Sequence, residues 1–322
     1  MKALLLLICL LLLSSCASTP QSRQLRTNGV SPLPSRVELS DTPFYPQTQY
    51  QCGPAALATV LQTHGINATP EKLATQVYIP ERKGSLQIEM TAASRRHATL
   101  PYPLAPRLVD LFTEIATGNP VLVLQNLGFD WYPQWHYAVA VGYDMDNQEI
   151  VLRSGTTKRR ISSFEVFERT WKRADFWALV IVPMGEIPAT AEPVRYLKTA
   201  YAFEETGHPA MAVKAYRAAS RQWPEVAATW MALGNMAFAN QDWRMAVSAF
   251  NTATRLEPDS VSSWNNLAYA LHADGCKTQA EIALQCALKT SPDNKNLQDS
   301  WSELIEGAVS HDRSECPLIR CQ

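Results

Sequence analysis

The chain has 322 residues, 46% hydrophobic and 18% charged, with 29 basic side chains against 30 acidic ones and a net charge of −1. So even a balance offers no electrostatic footprint for nucleic acid. The length allows two domains, and past the first residues no apolar run is long enough to span a membrane.

The N-terminus reads MKALLLLICLLLLSSCAST. Lys2 followed by an apolar run over 3–13 predicts a signal-peptide core, too short for a spanning helix of about 20 residues. Small residues precede Cys16, and the stretch resembles the bacterial lipobox, in which that cysteine is lipidated and opens the mature chain. The resemblance implies a signal peptide over 1–15, a lipid on Cys16 and a Ser/Thr/Pro/Gln/Arg tether over 16–41. Ala17 after the cysteine implies the outer membrane of a Gram-negative cell, with the body in the periplasm. Five cysteines then remain: 52, 276, 286, 316 and 321. An oxidising compartment pairs them and leaves one over, and Cys52, alone in its half, is expected to be the free thiol.

Over 42–184 helical spacing comes first. Residues 53–64 carry Ala, Leu and Val at helical positions; Thr69-Pro70 reads as an N-cap followed by Pro in the first turn. Further helices are expected over 86–96 and 106–117. Short β-branched runs follow at 121–124, 137–141, 149–152 and 177–182, with turn residues between them. Helices followed by an antiparallel sheet predict an α+β domain.

Residues 185–194 read as a linker, and the second half repeats. Tyr196, Trp230 and Trp264 are 34 positions apart, as are Ala212, Ala246 and Ala280, and Pro224, Pro258 and Pro292. Tyr216, Phe250 and Leu284, and Ala219, Ala253 and Ala287, keep the same phase. A 34-residue period with an aromatic start, small residues at helix contacts and a closing Pro resembles the tetratricopeptide repeat. That implies an all-α solenoid of three repeats and a cap helix within 195–307, with a protein partner as its expected ligand. In the tail, 308–322, Cys316 and Cys321 are the expected partners of Cys276 and Cys286. The last two lie about 15 Å apart along one helix, too far to pair with each other.

The chemistry-bearing stretch is YPQTQYQCGPAAL, 45–57. Cys52 at the start of the 53–64 helix gains a positive dipole end, which together with a base is expected to lower its pKa. Gly53 is expected to admit a substrate backbone, and Pro54 costs no hydrogen bond in the first turn. The pattern Gln47…Cys52-Gly53-Pro54-Ala55, followed by Trp135-His136-Tyr137 and Gly142-Tyr143-Asp144, resembles the bacteriocin-processing, double-glycine-leader peptidase-like family of the papain superfamily. The resemblance implies a papain-like fold over 42–184, with Cys52 as nucleophile, His136 as base and Gln47 as the oxyanion glutamine. Gln49 and Gln51 stand as alternatives to Gln47. Cleavage of double-glycine leaders is not implied, since no transporter is attached.

Where the family has Asp or Asn on the next strand, this chain reads Leu152-Arg153-Ser154-Gly155. Ser154 is expected to accept the Nδ1 proton of His136 and fix its tautomer without supplying charge. Asp144 is the fallback, more naturally a turn cap. Trp131, Tyr132 and Trp135 crowd the approach to His136, either as flanks of a peptide cleft or as packing. His64 and His97 sit near helix ends and His208 and His272 in the repeats; none is expected to act. No metal spacing and no phosphate loop are seen, so no cofactor is expected. Three functions fit: an anchored periplasmic cysteine peptidase whose repeats recruit a protein substrate or partner, an inactive peptide-binding scaffold, and an amide or acyl transferase on the same fold.

Overall fold

The structure, a computed structural model, describes residues 19–28, 32–47, 50–305 and 315–321. The signal segment, Cys16 and Gln49 lie outside the described residues. No described helix is long and apolar enough to cross a membrane. The chain divides into two compact units, the first reaching Pro183 and taking in residues 188–191, the second formed by 184–187 and everything from Glu192 onward.

In the first unit the elements run α1 (Pro20–Asn28), β1 (Arg36–Glu38), α2 (Cys52–Thr63), α3 (Pro70–Val77), α4 (Gln87–Arg96), β2 (Thr99–Pro103), α5 (Leu108–Ala116) and β3 (Val121–Asn126). They continue with β4 (Trp135–Asp144), β5 (Glu149–Ser154), β6 (Thr157–Ser163), α6 (Phe164–Lys172) and β7 (Ala178–Pro183). One antiparallel sheet is ordered β2-β7-β3-β4-β5-β6, and β1 pairs with the far part of β4. α2 is buried from Gly53 to Leu61, and its apolar side packs with Leu122, Leu124, Tyr137, Val139 and Val141 of the sheet. Thr69 caps α3 through its hydroxyl, which accepts from Lys72 N. Gly142 is where β1 closes on β4: a Cβ there would come within 2.7 Å of the Val37 carbonyl oxygen. A bulge between Ala140 and Gly142 shifts the register of β4 against β5 at the same place.

Two parts of the segment expected to be a tether are built into this unit. Besides β1, α1 lies along α6, held by the carboxylate of fully buried Glu168. That group accepts from Gln21 N at 3.1 Å, Ser22 N at 2.7 Å and Ser22 Oγ at 2.6 Å. A carboxylate at the first turn of a helix satisfies N–H groups that have no partner inside the helix. At the other end of the unit's sequence Thr190 donates its N–H and hydroxyl to buried Glu114.

The second unit contains α7 (Pro193–Glu205), α8 (Pro209–Gln222), α9 (Ala227–Ala239), α10 (Trp243–Leu256), α11 (Val261–Ala273), α12 (Lys277–Thr290) and α13 (Lys295–Leu304). They pair as α7/α8, α9/α10 and α11/α12, the solenoid the 34-residue period predicts. The phase of Pro and Trp has a direct cause: Trp230 Nε1 donates to the Pro224 carbonyl at 2.8 Å, and Trp264 Nε1 to Pro258 at 2.7 Å. In the third register Gln298 takes the tryptophan's place on the Pro292 carbonyl. The capping helix begins at Lys295, where Asn294 accepts the N–H groups of Asn296 and Leu297. Cys276 pairs with Cys316 and Cys286 with Cys321, with Cα separations of 5.6 and 5.3 Å. Of the described cysteines, Cys52 is free.

Candidate active site

Cys52 is the first residue of α2, and Gln51 before it supplies no side-chain cap. The free N–H groups of that first turn therefore face the thiol rather than a capping oxygen. Cys52 borders a cleft of about 750 Å³ whose lining includes Gln47, Tyr50, Ser85, Trp135, His136 and Tyr137. The backbone N–H groups of Tyr137, Gly53 and Cys52 itself point to the sulfur and favour a thiolate, but burial outweighs them and pushes the Cys52 thiol up. This corrects the expectation of a lowered thiol. The dipole end is present, and loss of solvent is the larger effect.

His136 is the second residue of β4, directly before the Tyr137 whose N–H meets the sulfur. Burial first, and the Arg160 charge second, pull the imidazole down to about 4. At neutral pH the cleft therefore holds an uncharged thiol and an uncharged imidazole. Ser154, buried at the end of β5, lies one residue beyond the Val139–Arg153 strand pair, with its Oγ 2.8 Å from His136 Nε2. The expected contact exists, but through Nε2 rather than Nδ1. Asp144 closes the far end of β4, eight residues and about 26 Å from His136 at ordinary strand rise. There it accepts from Asn147 N and Nδ2 and pairs with Arg36, so it caps the turn.

Gln47 is held in the cleft wall by its own N–H, which donates to the Gly155 carbonyl just after Ser154. Gln51 is not among the cleft-lining residues; its carbonyl accepts from Ala55 N inside α2. Buried Arg153 fixes the approach to Gln47 by donating to the carbonyls of Leu39, Ser40 and Thr42, and to that of Lys158. Nothing in the sequence pattern singled it out, since a lone Arg in a strand has no periodic signature.

The structure also revises Gly53. Its open side is filled by Ser85, whose Oγ would stand 2.4 Å from a Cβ on that residue. The close approach it permits is that of the loop joining α3 to α4, not of a substrate. That loop, with Arg82, Lys83 and Gln87, is a cleft wall the sequence did not announce. Lys83 sits over the Tyr50 ring at 5.6 Å, bridging that loop and the turn before Cys52. Of the aromatic residues before His136, Trp135 lines the cleft, and Trp131, Tyr132 and Trp135 are all exposed, so packing does not account for them.

Residues 39–178 match the family described as Peptidase_C39 like family. Residues 197–243 and 232–295 match the tetratricopeptide repeat. Among solved structures, a C39-like peptidase from Bacillus anthracis is 18% identical, covering 46% of this chain and 97% of its own, with a TM-score of 0.38. The peptidase domain of Streptococcus ComA, a bi-functional ABC transporter of a quorum-sensing pathway, is also 18% identical, covering 44% and 98%, with a TM-score of 0.36. A structure described as MamA MSR-1 C2 is 16% identical over 38% of this chain and 70% of its own, with a TM-score of 0.34. No curated protein matches. The fold is a mixed α+β, papain- and C39-like domain followed by a regular all-α tetratricopeptide-repeat solenoid.

Proposed function

We propose that the protein is a thiol peptidase that attacks a peptide carbonyl with Cys52. The observation that carries this reading is that Gln47, Cys52 and His136, drawn from a loop, a helix start and a strand start, line one cleft. With Ser154 on Nε2, the Nδ1 of His136 takes the thiol proton as Sγ adds to the carbonyl carbon. The oxyanion is held by the Cys52 N–H and the Gln47 side-chain amide. The imidazolium returns its proton to the departing amine as the C–N bond breaks. Water, deprotonated by the same nitrogen, then adds to the acyl carbon, the C–S bond breaks, and the imidazolium returns the proton to Sγ.

The repeats recruit a protein substrate or partner. Lipid on Cys16 anchors the chain to the outer membrane facing the periplasm, where the two disulfides of the second unit persist. The raised thiol and the uncharged Ser154 favour one second reading, a cleft that binds peptides without cleaving them. A peptidyl vinyl sulfone and a fluorogenic peptide library decide between them. Covalent labelling and hydrolysis, both lost in Cys52→Ala and His136→Ala, support the peptidase. Peptide binding with no adduct and no hydrolysis supports the scaffold.

A further inference from the structure

The end of the sheet that carries the cleft also carries a stiff aromatic hairpin. Between β3 and β4, Leu127 N donates to the Gln134 carbonyl, and Phe129 and Tyr132 exchange backbone hydrogen bonds at 3.1 Å. Asn126 Oδ1 accepts from Gly128 N and Gln134 N, so the base of the hairpin is fixed as well. On this frame Phe129 is 64% exposed, Trp131 81%, Tyr132 63% and Trp135 56%. The Phe129 and Trp131 rings stack at 5.5 Å. Large aromatic side chains held in solvent by an ordered backbone mark a contact surface.

The N-terminal helix points at the same end. α1 runs antiparallel to α6: Arg26 meets Glu165, while Ser22 and Gln21 meet Glu168. Beyond Glu168, at the far end of α6, Arg173 donates to the carbonyl of Asn126, the residue from which the hairpin springs. A second set of contacts agrees. Gln21 bonds Pro106 O and Leu108 N. Leu104 N in turn bonds Ala178 O, and Leu124 N bonds Trp177 O, at that end of β7 and β3. Cys16 is four residues before Pro20, a chain length of at most about 14 Å.

We infer that this aromatic hairpin seats in the headgroup region of a lipid bilayer, so that the first unit lies against the membrane with its cleft at the surface. Trp and Tyr rings, apolar bodies with one polar group, are the side chains that favour this zone. The latch on Glu168 keeps a lipid on Cys16 within about 14 Å of chain from Pro20, so an anchored unit stays close to the bilayer. The inference draws on the reading of Cys16 as the anchor site.

The test reconstitutes the full chain into vesicles of phosphatidylethanolamine and phosphatidylglycerol that contain a phosphatidylcholine brominated at acyl carbons 6 and 7. Bromine is expected to quench part of the tryptophan fluorescence, and Trp131→Phe/Trp135→Phe to lose at least half of the quenched part. Quenching that is absent, or unchanged in the double variant, overturns the inference. Quenching of these two tryptophans by a bound apolar peptide and not by bromolipid also overturns it, in favour of a peptide platform. Intact mass of the same preparation reports lipid on Cys16 separately, and peptide hydrolysis in detergent reports the peptidase reading separately.

Discussion

His136 meets Ser154 through Nε2, at 2.8 Å, and this contact leaves Nδ1 out of the pair. A hydroxyl can accept from Nε2–H or donate to Nε2, and only the first arrangement leaves Nδ1 a base; a carboxylate would allow that one alone. Ser154→Ala should lower turnover about tenfold through lost orientation. Ser154→Asp should hold or raise turnover and move the acid limb of kcat/KM upward. An acid limb that stays put in Ser154→Asp would show that this contact does not govern the imidazole.

The resting site is uncharged, which sets the pH profile. Acid inactivation should follow His136, with kcat/KM rising through about pH 4. The alkaline limb should lie above the ordinary thiol value, because burial pushes Cys52 up. A thiolate–imidazolium site would instead react with iodoacetamide at a rate independent of pH well below neutrality, and that result would contradict the assignment.

The same depression makes His136 a stability liability in acid. The unfolded chain takes up the proton near pH 6.5, the folded one only near 4. Stability is therefore full above 6.5 and declines as pH falls toward 4, by about 3 kcal/mol for 2.5 pKa units in a mostly buried group. Urea unfolding at pH 7 and pH 4.5 should show this difference shrink in His136→Gln.

Gly53→Ala should cost about 1–3 kcal/mol and impair turnover, since the new methyl meets both Oγ and Cβ of Ser85. Thermal unfolding and peptide hydrolysis of the double variant Gly53→Ala/Ser85→Gly supply the check. Recovery of stability is expected, and none would place the strain elsewhere.

Glu168→Ala strands the amide and hydroxyl of fully buried Ser22. A loss of about 2–4 kcal/mol in the docking of α1 is expected. Limited proteolysis should then cut within 20–28 in the variant and spare the native chain.

The sequence made the second unit legible because each repeat reuses one set of contacts, so that Ala246 and Ala280 answer to the same neighbours as Ala212. In the first unit the shared cleft of Cys52 and His136 was legible through their motif, and Ser154 as an anomaly within it. The pKa of Cys52 was not, because dipole and desolvation oppose each other and only burial in three dimensions decides between them. Gly53 misled for a related reason: a glycine announces a close approach but not by what. α1 was missed because its stability comes from Glu168, 146 positions away from Ser22, and not from its own apolar pattern.

The tail gives the second unit an unequal pair of ends. Arrays of repeats unzip from their termini, where a helix has only one neighbour. Here α12 is riveted twice, at its N-cap residue Cys276 and at Cys286 within it, and the strip of chain carrying Cys316 and Cys321 presses Ile319 into the core of the second unit. Peeling away the final helices would mean carrying that strip with them as a closed loop. Heat must open the array elsewhere first, while a dithiol reductant could open it from the back. The durability of the repeat half is thus a readout of the redox poise around it as much as of temperature.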